Sequence, residues 1–141
     1  MKIIVDASVV LTWLLREPSS VGVELAFTAL DNLRDPAAEA YMPAIGLLEV
    51  ANVVARSESQ GIIEAPRLEM FLAMLRVLPI RADHDTNGLA LGPVLDLARR
   101  HALSAYDAAY LELAIRLALP LASLDARLAR AASTVGLLYK P

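Results

Sequence analysis

Short apolar runs alternate along this chain with longer stretches of helical period, and that alternation limits the folds open to it more than any single residue does. KIIVDA reads as a strand ending in Asp6, followed directly by the helix SVVLTWLL with Ser8 as its expected N-cap. VGVELAFTALDNL is expected to form a second helix, RDPAAEA a loop and AYMP a short second strand. Helical period returns from Ala44 to about Gln60, where Gly61 stops it, and again through PRLEMFLAMLRVL, with Pro66 near the first turn. LPIRA reads as a third strand, and TNGLALGPVLDLARRHA as a helix in which Gly92 and Pro93 make a kink or lie close to a turn. SAYDAAYLELAIRLA carries the strongest helical period, and PLASL, DARLARAAS and GLLY follow as strand, short helix and last candidate strand. Strands separated by helices imply an α/β fold: one domain over residues 1–141, with a mainly parallel sheet of four to five strands and helices on both faces.

Composition narrows the chemistry. Hydrophobic residues make up 57% of the chain, so either the core is very apolar or part of the surface meets a partner. Every long apolar stretch is cut by Asp, Glu or Arg before the roughly 18 residues of a membrane span, and Asp6 breaks the N-terminal run too early for a signal peptide. A soluble, cytoplasmic protein with no membrane association is the expectation. With no cysteine, and with His84 and His101 not spaced as a helical ligand pair, any bound metal must be held mainly by oxygen. A net charge of -3 means that a polyanionic ligand would need metal ions or a local Arg cluster.

Four carboxylates interrupt apolar stretches: Asp6 in KIIVDAS, Glu49 in IGLLEVANVV, Asp107 in LSAYDAAYLELA and Asp125 in PLASLDARL. Asp6 and Asp125 end strands, and in a parallel sheet both then lie at the edge where ligands gather. Each acid also has a purely structural explanation. Asp125 suits an N-cap, and Ser104 with Asp107 has the form of a capping box. Glu49 has the weakest one, because no Lys or Arg stands three or four residues away to pair with it. Buried together, four carboxylates raise one another's pKa unless a cation collects there, and hard cations such as Mg²⁺ or Mn²⁺ take such oxygens directly or through water. Metal-assisted phosphodiester hydrolysis is the matching reaction class. Ser8, Asn52 and Ser123 are candidates to orient the acids or metal-bound water.

These segments resemble PIN-domain ribonucleases, and within them the VapC toxins of toxin–antitoxin pairs. IIVDASVVLTWLLREPSS is similar to the family's opening strand and helix, LLEVANVVAR to its Glu-bearing helix, and LSAYDAAYLELAIRLALPLASLDARLARAA to its closing block. Arg127 and Leu128 stand where some members carry a further acid. The resemblance implies a PIN-like fold in which Asp6, Glu49, Asp107 and Asp125 are the catalytic and metal-binding residues for Mg²⁺ or Mn²⁺, supported by Ser8, Ser123 and Asn52. It implies an endoribonuclease that cleaves RNA by metal-activated water to leave a 5′-phosphate and a 3′-hydroxyl. It also implies a homodimer and a cognate antitoxin, with Arg16, Arg99, Arg100, Arg127 and Arg130 as candidates to steer RNA. Two rivals stay open. One is a non-catalytic PIN-like binding module. The other is an aspartate-based phosphoryl-transfer domain, disfavoured because Lys2 and Lys140 are the only lysines and lie at the termini.

Overall fold

The computed structural model describes residues 1–20 and 22–141. Four strands, β1 (Lys2–Val5), β2 (Glu39–Pro43), β3 (Ile80–Asp83) and β4 (Leu121–Ala122), form a sheet in the order β3-β2-β1-β4. Every pairing is parallel, with Ile4 opposite both Tyr41 and Leu121. The continuous apolar run of β1 suits its central place, because Ile3, Ile4 and Val5 are fully buried between two layers. GLLY contributes only a single bridge, Leu138 to Leu121, where a fifth strand had been a candidate.

Helices cover both faces. Ile3 and Val5 pack with α1 (Ala7–Leu15), α2 (Glu24–Leu33), α3 (Ala44–Ser59) and α4 (Ala65–Val77). Ile4, Met42 and Leu121 pack on the other side with α6 (Leu95–His101), α7 (Ala105–Leu117) and α8 (Ala126–Thr134). The alternation of Ile3, Ile4 and Val5 between the two clusters is the two-residue period of a strand serving both layers. The expected second helix begins at Glu24, and Val21 lies outside the described residues. Trp13 donates its indole N–H to the Ala26 carbonyl at 2.8 Å, fixing α1 on α2.

The segment from Thr86 to His101 is broken more deeply than a kink. The short α5 (Thr86–Leu89) passes into a π-helical turn (Ala90–Val94) before α6, with Gly92 in a non-helical conformation and Pro93 unable to donate to the preceding turn. No helix among the described residues is long and apolar enough to cross a membrane.

α7 ends at Ala118 with φ +54, a left-handed conformation that glycine adopts at far less cost than alanine. Ala118→Gly is therefore expected to stabilise the fold by about 0.5–1 kcal/mol. The readout is a rise in the urea midpoint at unchanged m-value.

Candidate active site

β1 ends in Val5 and the next residue, Asp6, caps α1: its Oδ1 accepts from the Val9 N–H at 3.0 Å. Ser8, the expected cap, instead donates its hydroxyl to the same Oδ1 at 2.5 Å, because two residues into the turn its side chain faces back toward Asp6 rather than toward an open N–H. Ser8 Oγ also accepts from the Leu124 N–H at 2.9 Å. On the other oxygen, Oδ2, Asp6 accepts from the Ser123 hydroxyl, and Ser123 Oγ in turn accepts from the Asp125 N–H at 3.0 Å. One carboxylate thus ties the end of β1 to the loop after β4. Its residue is 4% exposed, so it is held inside the sheet edge rather than on it. A carboxylate oxygen has about two acceptor positions. Oδ1 uses both and Oδ2 uses one, which leaves a single position on Oδ2 for a ligand.

The partner that Glu49 lacks on its own helix comes from α7. Tyr110, buried at 1% exposure, donates its phenol to Glu49 Oε1 at 2.9 Å. A buried phenol needs such a partner. α3 reaches this close because residue 46 is glycine: a Cβ there would collide with the Tyr110 Oη and lie 2.6 Å from the Met42 methyl. Neither Tyr110 nor Gly46 stood out in the sequence. The available signals were a tyrosine inside the most apolar helix and a glycine inside a helical pattern, which marks close approach.

Asp107 and Asp125 each sit in the first turn of a helix or at its cap. Asp125 Oδ1 accepts from the Leu128 N–H at 2.9 Å, so it does cap α8. The capping box at α7 is only half made. Ser104 Oγ accepts from the Asp107 N–H at 3.1 Å, but the Asp107 carboxylate makes no return bond to the Ser104 backbone N–H. It stays available to a ligand.

Electrostatics link all four acids. Burial pushes the Asp6 carboxyl above its ordinary value, against the hydrogen bonds from Ser123, Ser8 and Val9, and the Asp107 charge adds to the rise. Burial likewise raises Glu49, opposed by Tyr110 and assisted by Asp107 and Asp6. Asp107 is raised by burial and then by Asp125, against a hydrogen bond from Ser104. None of the four forms an ion pair among the described residues. This donor set fits a hard cation, since a divalent charge is what the mutual repulsion lacks. No three such side chains among the described residues are arranged to hold one ion together. The fit is therefore to a cation bound directly by one or two carboxylates, with Asp6 Oδ2 and Asp107 first, and reached by the others through water.

Asn52 is exposed on α3 and bonds no described group, so nothing places it among these acids. Of the basic candidates, Arg127 and Arg130 line one cleft with His101, about 350 Å³ and without a carboxylate in its walls. Arg127 is two residues beyond Asp125 in sequence but forms no ion pair with it. Arg100 lines a separate hollow with Glu112 and Arg116, Arg99 is exposed on α6, and Arg16 lies at the far end of α1.

Arg116 grips Asp83 with both terminal nitrogens, at 3.0 and 2.7 Å, and reaches Glu112 with Nε at 2.8 Å. This holds the end of β3 against α7. The Arg116 hydrogen bonds hold the Asp83 carboxyl below its ordinary value. The folded chain therefore keeps Asp83 charged to lower pH than the unfolded chain does. The resulting stability is complete above the unfolded value of about 3.9 and is lost as pH falls through the lower folded value. Asp83→Asn should remove this share of the acid limb below about pH 4, read from urea midpoints across that range.

A family model for the PIN domain matches residues 3–133, which is most of the chain. The chain belongs to the PIN-domain family. PIN domains are generally metal-dependent nucleases, so a nuclease-type function follows from membership. Among solved structures, this PIN domain is similar to the crystal structure of PAE2754 from Pyrobaculum aerophilum, with a TM-score of 0.59 and 16% identity over 93% of this chain and 84% of that one. Likeness at that identity is likeness of fold. No curated protein matches the chain.

Proposed function

We propose that this PIN domain is a divalent-metal-dependent endoribonuclease and the toxin of a toxin–antitoxin pair, with RNA as substrate, a cognate antitoxin as inhibitor and a homodimer as its assembly. The observation that carries the nuclease reading is the set of four carboxylates at the carboxyl edge of a parallel sheet, three of them raised by burial and by neighbouring acid charge, with no ion pair to any of the four among the described residues. A bound Mg²⁺ or Mn²⁺ would supply charge stabilisation at the phosphate and acidify water. The chain's own residues do the rest. Asp6 and Asp107 would hold the cation through their free acceptor oxygens, Ser8 and Ser123 fix the Asp6 carboxylate, and Tyr110 fixes Glu49. Arg127 and Arg130 offer positive charge to the neighbouring backbone phosphates, which the net negative molecule does not otherwise attract. In-line attack of water would break the P–O3′ bond, leaving a 5′-phosphate and a 3′-hydroxyl.

A non-catalytic module has no use for an Asp6 buried at an electrostatic cost, because Asn caps a helix equally well. The exposed Leu47 and Leu48 on α3 and Leu91 in the π-helical turn are apolar surface of the kind that a second copy or an antitoxin covers. The experiment is incubation of antitoxin-free protein with total cellular RNA, with and without Mg²⁺ or Mn²⁺, beside Asp107→Asn, and sequencing of the new 5′ ends. Discrete metal-dependent ends that the variant does not make are the expected result. Equal cleavage by Asp107→Asn would sink the proposed site, and no cleavage by folded wild-type protein would favour the binding module.

A further inference from the structure

A second cavity opens beside the acids, between the end of β3, the start of α3 and the start of α7, with about 200 Å³ of space. Its walls include Ile45, His84, Asn87, Val94, Tyr106 and Ala109. Two of these adjoin the acidic cluster directly: Ile45 stands one helical turn before Glu49 on the same face of α3, and Tyr106 precedes Asp107. Tyr106 is 62% exposed, a large aromatic ring left open at the mouth. His84 and Asn87 are exposed and hydrogen-bond no described group, so an imidazole and an amide stand idle above an apolar floor. Asp83, on the same wall, is already committed to Arg116, Thr86 and the Asp85 N–H, which sets the wall's shape before any ligand arrives.

We propose that this cavity takes the base of an unpaired nucleotide next to the scissile phosphate. The inference rests on the nuclease reading for that position. An exposed ring for stacking, a small apolar floor and an idle amide with both donors and an acceptor are the chemistry that reads a splayed-out base. The space is below the roughly 300–1,000 Å³ of pockets for drug-sized ligands, which suits a single ring system. A base held in a duplex cannot enter. The substrate is accordingly single-stranded at the cut, and the cavity sets a base preference at one flanking position.

The test has two arms. In the first, each of the four nucleoside 5′-monophosphates is titrated into wild-type protein and Tyr106→Ala while NMR follows the Asn87 side-chain amide in both and the Tyr106 ring in the wild type. At least one nucleotide should shift those signals in the wild type. Tyr106→Ala, which changes an exposed residue and leaves the core alone, should weaken that binding about 5- to 150-fold, the range that loss of one base–aromatic stack produces. In the second arm, RNA ends made by wild type, Tyr106→Ala and Asn87→Asp are sequenced. The base preference at one position beside the cut should flatten in the first variant and change in the second. Cleavage without nucleotide-induced shifts, and with the same base preference in all three proteins, overturns the proposal. Nucleotide-induced shifts without any cleavage keep the cavity as a base site and overturn the nuclease reading instead. If both arms are unaffected by Tyr106→Ala but antitoxin affinity falls, the cavity belongs to a protein partner and the proposal fails.

Discussion

Asp6→Asn should abolish RNA cleavage while leaving the protein folded and no less stable. Asn is as good an N-cap as Asp, and its carbonyl oxygen can accept from Val9 and Ser8 as Oδ1 does now. Its amide would meet Ser123 Oγ, whose hydroxyl can turn to make room for a donor. What disappears is a buried charge that burial and Asp107 both oppose, so the unfolding midpoint should hold or rise. Cleavage should fall by at least about 10²–10³-fold, the order seen when one preorganised charge-stabilising group is removed. Mn²⁺ should raise the melting temperature of the wild type, as any ligand of the folded state does, and do so much less in the variant. A stable Asp6→Asn protein that cuts RNA at the wild-type rate would show that the carboxylate is only a cap.

Gly46→Ala should cost both stability and activity, although an alanine at an ordinary exposed helix position would gain about 1 kcal/mol. The added methyl meets the Tyr110 Oη and the end of Met42, and overpacking of this kind costs about 1–3 kcal/mol. Relief by moving α3 away from α7 would separate Glu49 from Tyr110, and a displacement near 1 Å can lower a rate on the order of 10²-fold. Tyr110→Phe removes the atom that the methyl meets most closely. The Gly46→Ala/Tyr110→Phe pair should therefore lose less stability than the two single losses added together, while activity stays low because Glu49 has no phenol to orient it. Additive unfolding energies would mean that the helix relaxes in some other way.

Much of this arrangement can be read from the chain. KIIVDA and PLASL, each followed by helical period, place Asp6 and Asp125 after parallel strands, and the sheet does put them at one edge. Local period and breakers also place Glu49 on α3 and end that helix at Gly61, with φ +70. What escapes is pairing between distant residues. Ser8 looks like the better cap until the Leu124 N–H arrives from more than a hundred residues away and the hydroxyl, donating to Asp6, gains other duties. Tyr110 looks like one more apolar position in α7, because its partner Glu49 is 61 residues distant. Strand length is illegible for a related reason. β4 has only two residues and GLLY yields one bridge, since a strand's extent is set by what lies beside it and not by its own propensity.

The bond from Ser123 to Asp6 spans 117 positions of sequence, and it orders the chain's synthesis as well as its shape. A growing chain that has delivered β1, β2 and α3 from the ribosome already carries Asp6 and Glu49, but neither the phenol of Tyr110 nor the hydroxyl of Ser123 that holds them in place. Residues 104 to 125, which follow those elements in the chain, bring Asp107, Tyr110, Ser123 and Asp125 together. An acidic centre built this way is assembled in one step, once the segment that carries Asp107, Tyr110, Ser123 and Asp125 has been made and has packed against β1 and α3.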